Sequence, residues 1–136
     1  MKINTNNYAE VTEILQEIST LASKKINEIY SDDIKEFRKE DNSPVTVADI
    51  ESNRIIIDKL SKNFRNIKLI SEESHERSLQ GEKEFFIIDP LDGTKEFIKK
   101  NDEFTCNLAL IENNASTLGF VSVPVRDLIY FGGKGY

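Results

Sequence analysis

The sequence predicts an α+β layered fold, with two N-terminal helices packed on a mostly antiparallel sheet. Three observations predict it. The first part of the chain repeats apolar residues at helical spacing. From residue 67 onward the apolar residues fall instead into short runs of strand length. Polar and Gly/Pro clusters separate those runs at the distances expected of hairpin-linked strands.

The elements follow in order. Residues 8–30, YAEVTEILQEISTLASKKINEIY, place Val11, Ile14, Leu15, Ile18, Leu21, Ala22, Ile26 and Ile29 on one helical face. The polar stretch SDDIKEFRKEDNSP ends in Pro44 and reads as an irregular or hairpin connection. A second helix fits residues 47–61, capped by Thr46, with Val47, Ile50, Ile56, Ile57 and Leu60 facing inward. Strands follow at 67–71, 84–89, 104–111, 116–123 and 128–133, with a short helix in TKEFIKK between the second and third. The sequence contains no repeat, low-complexity tract or linker. Its last residues, LIYFGGKGY, reach a glycine-rich turn where a further antiparallel strand is expected, so the chain reads as interrupted, with an open sheet edge.

Composition bounds the function. At 136 residues, with 38% hydrophobic and 31% charged residues, the chain suits one globular domain with its own core. The polar start MKINTNNYAE lacks a signal-peptide apolar region, and no apolar stretch approaches the roughly 20 residues that span a bilayer. A cytoplasmic protein is expected. The single cysteine, Cys106, excludes an internal disulfide and a cysteine metal cluster, and its alternating setting FTCNLALI reads as a small buried thiol. A net charge of −6 argues against a nucleic-acid polymer as partner.

Acidic residues gather at three element boundaries. Thr46 and Asp49 in SPVTVAD have capping-box spacing, which a structural role alone explains. Glu72 and Glu73 follow an apolar strand in LISEES, where adjacent side chains point to opposite faces. In FFIIDPLDGTKEF, Asp89 ends a strand, Asp92-Gly93 makes a turn, and Thr94 caps the helix that begins near Lys95. A turn with a cap explains Asp92, Gly93 and Thr94, but not Asp89. Paired carboxylates beside the free N–H groups of a helix start suit a hard divalent cation and a phosphate.

Taken together and in this order, DNSPVTVAD, LISEES and IIDPLDGTKEFI resemble the inositol-monophosphatase-like, magnesium-dependent, lithium-sensitive phosphatases. Within that superfamily, DPLDGTKEF and DNSPVT look most like the 3′(2′),5′-bisphosphate nucleotidases, and the similarity runs over nearly the whole chain. The resemblance implies a sugar-phosphatase-type fold, of which residues 1–136 would form the N-terminal, metal-binding part. The family's C-terminal α/β half would add a further metal-binding aspartate and much of the substrate pocket. It implies hydrolysis of the 3′-phosphate of adenosine 3′,5′-bisphosphate, a by-product of sulfate assimilation, by in-line attack of a metal-activated water with two or three Mg²⁺ ions, or Mn²⁺. Glu72, Asp89, the Leu91 carbonyl and Asp92 would hold the metals. Asp92, Gly93 and Thr94 would hold the phosphate, and Asp49, Thr94 and Glu72 would orient and deprotonate the attacking water. An inositol monophosphatase or sugar phosphatase is the alternative within the class. A non-catalytic module that binds metal or self-associates through its open edge is the alternative outside it. His75 reads as solvent-exposed, and the lysines of KEFIKKND as a solvated helix face that could also favour a substrate with more than one phosphate.

Overall fold

The computed structural model describes residues 1–74 and 78–136; the expectation for His75 lies outside the described residues. A long helix, α1 (Tyr8–Tyr30), is followed by a two-stranded hairpin, β1 (Glu36–Arg38) and β2 (Pro44–Thr46). Then come α2 (Val47–Asn63), β3 (Lys68–Ser71), β4 (Glu84–Asp92) and the short helix α3 (Thr94–Ile98). The chain closes with β5 (Thr105–Glu112), β6 (Ala115–Val123) and β7 (Leu128–Gly133).

The main sheet has the order β3-β4-β5-β6-β7. Three of its four ladders are antiparallel, as expected, whereas β3 and β4 pair in parallel. That pairing requires a crossover, so the connection after β3 is not a hairpin. Between β5 and β6, Asn113 and Asn114 both have positive φ, 50° and 65°, the turn that best matches the twist of a tight hairpin.

One face of the sheet packs beneath α1 and α2. Leu15, Ile18 and Ile26 of α1 and Ile56 and Leu60 of α2 meet Phe86, Ile88, Leu108, Leu110, Leu118 and Phe120 in one continuous core. The alternation along each strand turns the intervening residues to the other face, where Ile87, Val121 and Tyr130 are exposed. Cys106 lies in the core as expected, and burial followed by the nearby charge of Asp89 pushes its thiol up to about 12, so it is inert.

One predicted inward residue is not inward. Ile50 is exposed, because Ala48, Ser52, Ile56 and Leu60 define the buried stripe of α2 and Ile50 falls off it. At the far end, α3 is anchored by an aromatic triangle. The rings of Tyr30, Phe97 and Phe104 lie 4.8–5.0 Å apart, and Phe97 is fully buried. This cluster fixes the residues just before Phe97, among them Gly93 and Thr94.

Candidate active site

The site begins where β4 departs from regular pairing. Asp89 pairs with Asn107 and Asp92 with Thr105, so β4 advances three residues while β5 advances two. In a regular strand, side chains three apart point to opposite faces. The extra residue of this bulge brings Asp89 and Asp92 to the same face. Pro90 is tolerated there because a bulge releases a residue from the ladder. The strand therefore continues to Asp92, three residues beyond its expected end.

Gly93 follows with φ of 92°, and a Cβ at this position would lie 2.7 Å from the Glu103 carbonyl oxygen. Only glycine fits. Gly93 occupies the cap position of α3, so Thr94 is its first residue and not its cap as the sequence suggested. The Thr94 hydroxyl is thereby free for another partner. It donates to Asp49 Oδ1 at 2.9 Å.

Asp49 is buried, and its other oxygen, Oδ2, accepts from the Thr46 amide and hydroxyl, both at 2.7 Å. Thr46 in turn accepts from the Ala48 amide, completing the capping box of α2. Ser52, one turn along α2, has its hydroxyl 2.5 Å from the Ala48 carbonyl and 3.1 Å from the Pro90 carbonyl, so α2 packs directly against the bulge. Asp49 therefore both caps its helix and holds Thr94 beside the β4 bulge.

Asp89 and its cross-strand partner Asn107 each bury a side-chain oxygen, Oδ1, without a hydrogen-bond partner among the described residues, and of the two Asp89 is the carboxylate. Burial first, then the negative charges of Glu72 and Asp92, push its carboxyl up to about 7. A cation would reverse both effects, and an all-oxygen donor set suits Mg²⁺. By this measure the residues fit the ion. No three His, Cys, Asp or Glu side chains among the described residues are closely enough grouped to hold a metal as they stand. Asp92 Oδ2 accepts from the Asn107 side-chain amide at 3.3 Å.

Glu72 and Glu73 lie just beyond the last residue of β3, where strand alternation no longer applies. Glu73 forms an ion pair with Lys39 at 2.7 Å. Lys39 comes from the β1–β2 connection and also feels the charges of Asp49 and Glu72. A groove of about 610 Å³ lies between this connection and the acidic turn, lined by Lys39, Val45, Ile50, Glu72 and Glu73 among others. Lys39 and Asn107 were missed in the sequence. Asn107 left a trace as a polar residue inside an apolar strand; Lys39 left none.

Bulge, capped aspartate and helix-anchored threonine come together at one end of the sheet of a layered α+β fold. A profile of the inositol monophosphatase family matches residues 7–136, and the chain belongs to that family. It is 44% identical over 100 residues to the 3′(2′),5′-bisphosphate nucleotidase CysQ of Salmonella typhimurium, a match covering 72% of this chain and 41% of the relative. The crystal structure of CysQ from Bacteroides thetaiotaomicron superposes with a TM-score of 0.79 at 37% identity, covering 94% of this chain and 47% of that one. An IMPase/NADP phosphatase complexed with Mg²⁺ and phosphate shares the fold, with a TM-score of 0.83 at 18% identity, covering 93% of this chain and 49% of that one. The chain thus spans half or less of the length of these relatives. No helix among the described residues is long and apolar enough to cross a membrane.

Proposed function

We propose that this chain carries the metal-binding half of a cytoplasmic, Mg²⁺-dependent phosphomonoesterase, whose substrate is adenosine 3′,5′-bisphosphate and whose products are AMP and phosphate. The observation that carries the proposal is the orphaned carboxylate oxygen of Asp89, on the same face as Asp92 and beside the Asp49–Thr94 pair. The name of the CysQ relatives supports the choice of substrate.

Glu72, Asp89, the Leu91 carbonyl and Asp92 would hold two or three Mg²⁺ ions, or Mn²⁺. Bound there, Mg²⁺ supplies Lewis acidity at the phosphoryl oxygens and lowers the pKa of water. The chain's own residues do the rest. Asp49 fixes the hydroxyl proton of Thr94, so the lone pairs of Oγ1 remain to accept a hydrogen bond from the attacking water. Glu72, in the turn after β3, takes the proton. The amides of Gly93 and Thr94 hold phosphate oxygens as charge spreads over them in the transition state.

The test is phosphate release from adenosine 3′,5′-bisphosphate by the 136-residue chain, with and without Mg²⁺ and with an Asp92→Asn control. Mg²⁺-dependent release that the control loses supports the proposal. A second reading rests on the ungrouped acidic side chains and the exposed β7 edge, where Tyr130 is 61% accessible. In that reading the chain self-associates and turns nothing over. Metal-independent oligomers without phosphate release would favour it. Release from inositol 1-phosphate in preference to the nucleotide would instead move the substrate within the family.

A further inference from the structure

A second groove lies on the other side of the β1–β2 hairpin. It encloses about 280 Å³ between the hairpin and α3, lined by Glu36, Arg38, Pro44, Lys95, Ile98 and Lys99. Three of the six are basic, in a chain whose net charge is −6. Glu36, the one acid, is already engaged with Arg38 at 3.6 Å.

The two lysines stand out on energetic grounds. Lys95 and Lys99 are four apart, so they share a face, and like charges at that spacing repel. Neither forms an ion pair among the described residues. Lys100, the third lysine of the segment, is used structurally: it donates to the Tyr30 carbonyl and lies 4.5 Å from the centre of the Tyr30 ring. The groove adjoins the candidate active site along the chain. Lys95 follows Thr94 directly, and Pro44 lies two residues before Thr46; both threonines bond to Asp49. Consecutive Cα atoms are about 3.8 Å apart, so a ligand held at Thr94 has Lys95 within reach.

We propose that Arg38, Lys95 and Lys99 form the subsite for the phosphate that is not cleaved, the 5′-phosphate of a bisphosphorylated nucleoside. The inference rests on the phosphatase reading and deepens it. The carboxylates, with their metals, take the 3′-phosphate. The basic groove takes the 5′-phosphate and makes these three residues determinants of specificity for substrates with two phosphates. A planar guanidinium and two ammonium groups suit a terminal phosphate, whose oxygens accept several charge-assisted bonds.

AMP in EDTA probes the groove without the metal site, because it carries only the 5′-phosphate. Amide shift mapping by NMR should place AMP at residues 95–99 and at Arg38, while adenosine should perturb neither. The Lys95→Gln/Lys99→Gln variant should weaken AMP binding by about tenfold with its urea midpoint unchanged. A Mg²⁺ titration of the wild type and of Asp92→Asn, run in parallel, reports separately on the phosphatase reading. Mg²⁺ binding lost in Asp92→Asn, with AMP bound elsewhere or equally well by the lysine variant, overturns the subsite and leaves the phosphatase reading standing. Absence of Mg²⁺ binding to the wild type overturns both.

Discussion

Thr94 reaches across 45 positions of sequence to donate its hydroxyl hydrogen to Asp49, whose other oxygen closes the capping box of α2. One buried carboxylate thus joins the start of α2 to the start of α3. A structural requirement and the proposed catalytic role fall on the same side chain, and substitutions must be read with both in view.

Asp49→Ala removes a cap and strands the donors of Thr46 and Thr94. The cap alone is worth about 1 kcal/mol, and each buried donor left unpaired adds about 1–3 kcal/mol. We expect a loss of about 3–7 kcal/mol in urea unfolding, so inactivity of this variant would not isolate chemistry. Thr94→Val leaves the buried Asp49 Oδ1 without its donor and should cost about 1–3 kcal/mol. Thr94→Ser should restore both stability and turnover. If Thr94→Ser behaves like Thr94→Val, the hydroxyl is not the group that matters.

Asp89 predicts a pH dependence of the metal-free protein. Burial and the neighbouring acids raise its folded pKa from the ordinary 3.8 to about 7. Between those values the folded state binds more protons than the unfolded state, so this group makes stability fall as pH rises from about 4 to 7. At pH 8 in EDTA, Asp89→Asn should therefore melt at a higher temperature than the wild type. Mg²⁺ narrows that gap: an ion at a hundred times its Kd adds about 2.7 kcal/mol to the wild type and nothing to the variant. Thermal melts with and without Mg²⁺ decide it, and a variant still stabilised by Mg²⁺ would remove Asp89 from the metal site.

Gly93→Ala should be costly at a single methyl group. Its Cβ would meet the Glu103 carbonyl oxygen at 2.7 Å while the backbone holds a φ of 92°. Strain of this kind costs about 1–3 kcal/mol, and relief by backbone movement would displace Thr94 from Asp49. Loss of turnover exceeding the loss of stability is the expected pattern.

Phe97→Ala tests the anchoring of α3. Emptying the space between Tyr30 and Phe104 should cost about 3–5 kcal/mol, measured by denaturant titration. Ile50→Ser on the exposed face of α2 should stay within about 0.5 kcal/mol of wild type, although the sequence reads Ile50 as core.

Local chemistry made much of the fold legible. The apolar stripe of α1, the Thr46–Asp49 spacing and the alternation of β5 and β6 each follow from one element considered alone. The errors came from contacts that no single element contains. Pro90 reads as the end of a strand, and only the partner β5 shows that β4 continues past it to Asp92. The parallel pairing of β3 and β4 depends on a crossover, which the composition of the connection does not announce. Lys39 meets Glu73 across 34 positions, from a segment that reads as a polar connection.

The β4 bulge also explains why the two aspartates stand three residues apart and not two. An acid–x–acid spacing would put both carboxylates on one face with no irregularity, but the strand would then run straight on. The additional residue acts as a phase shifter: it resets the alternation and ends the ladder in one step, handing the chain to α3 with Thr94 in place. Insertion of one more residue between Asp89 and Asp92, with the bulge kept, would change no functional group yet send Asp92 toward the core; deletion would keep both carboxylates on one face but abolish the bulge that hands the chain to α3. The length of this motif is therefore as much a part of its chemistry as the residues that spell it.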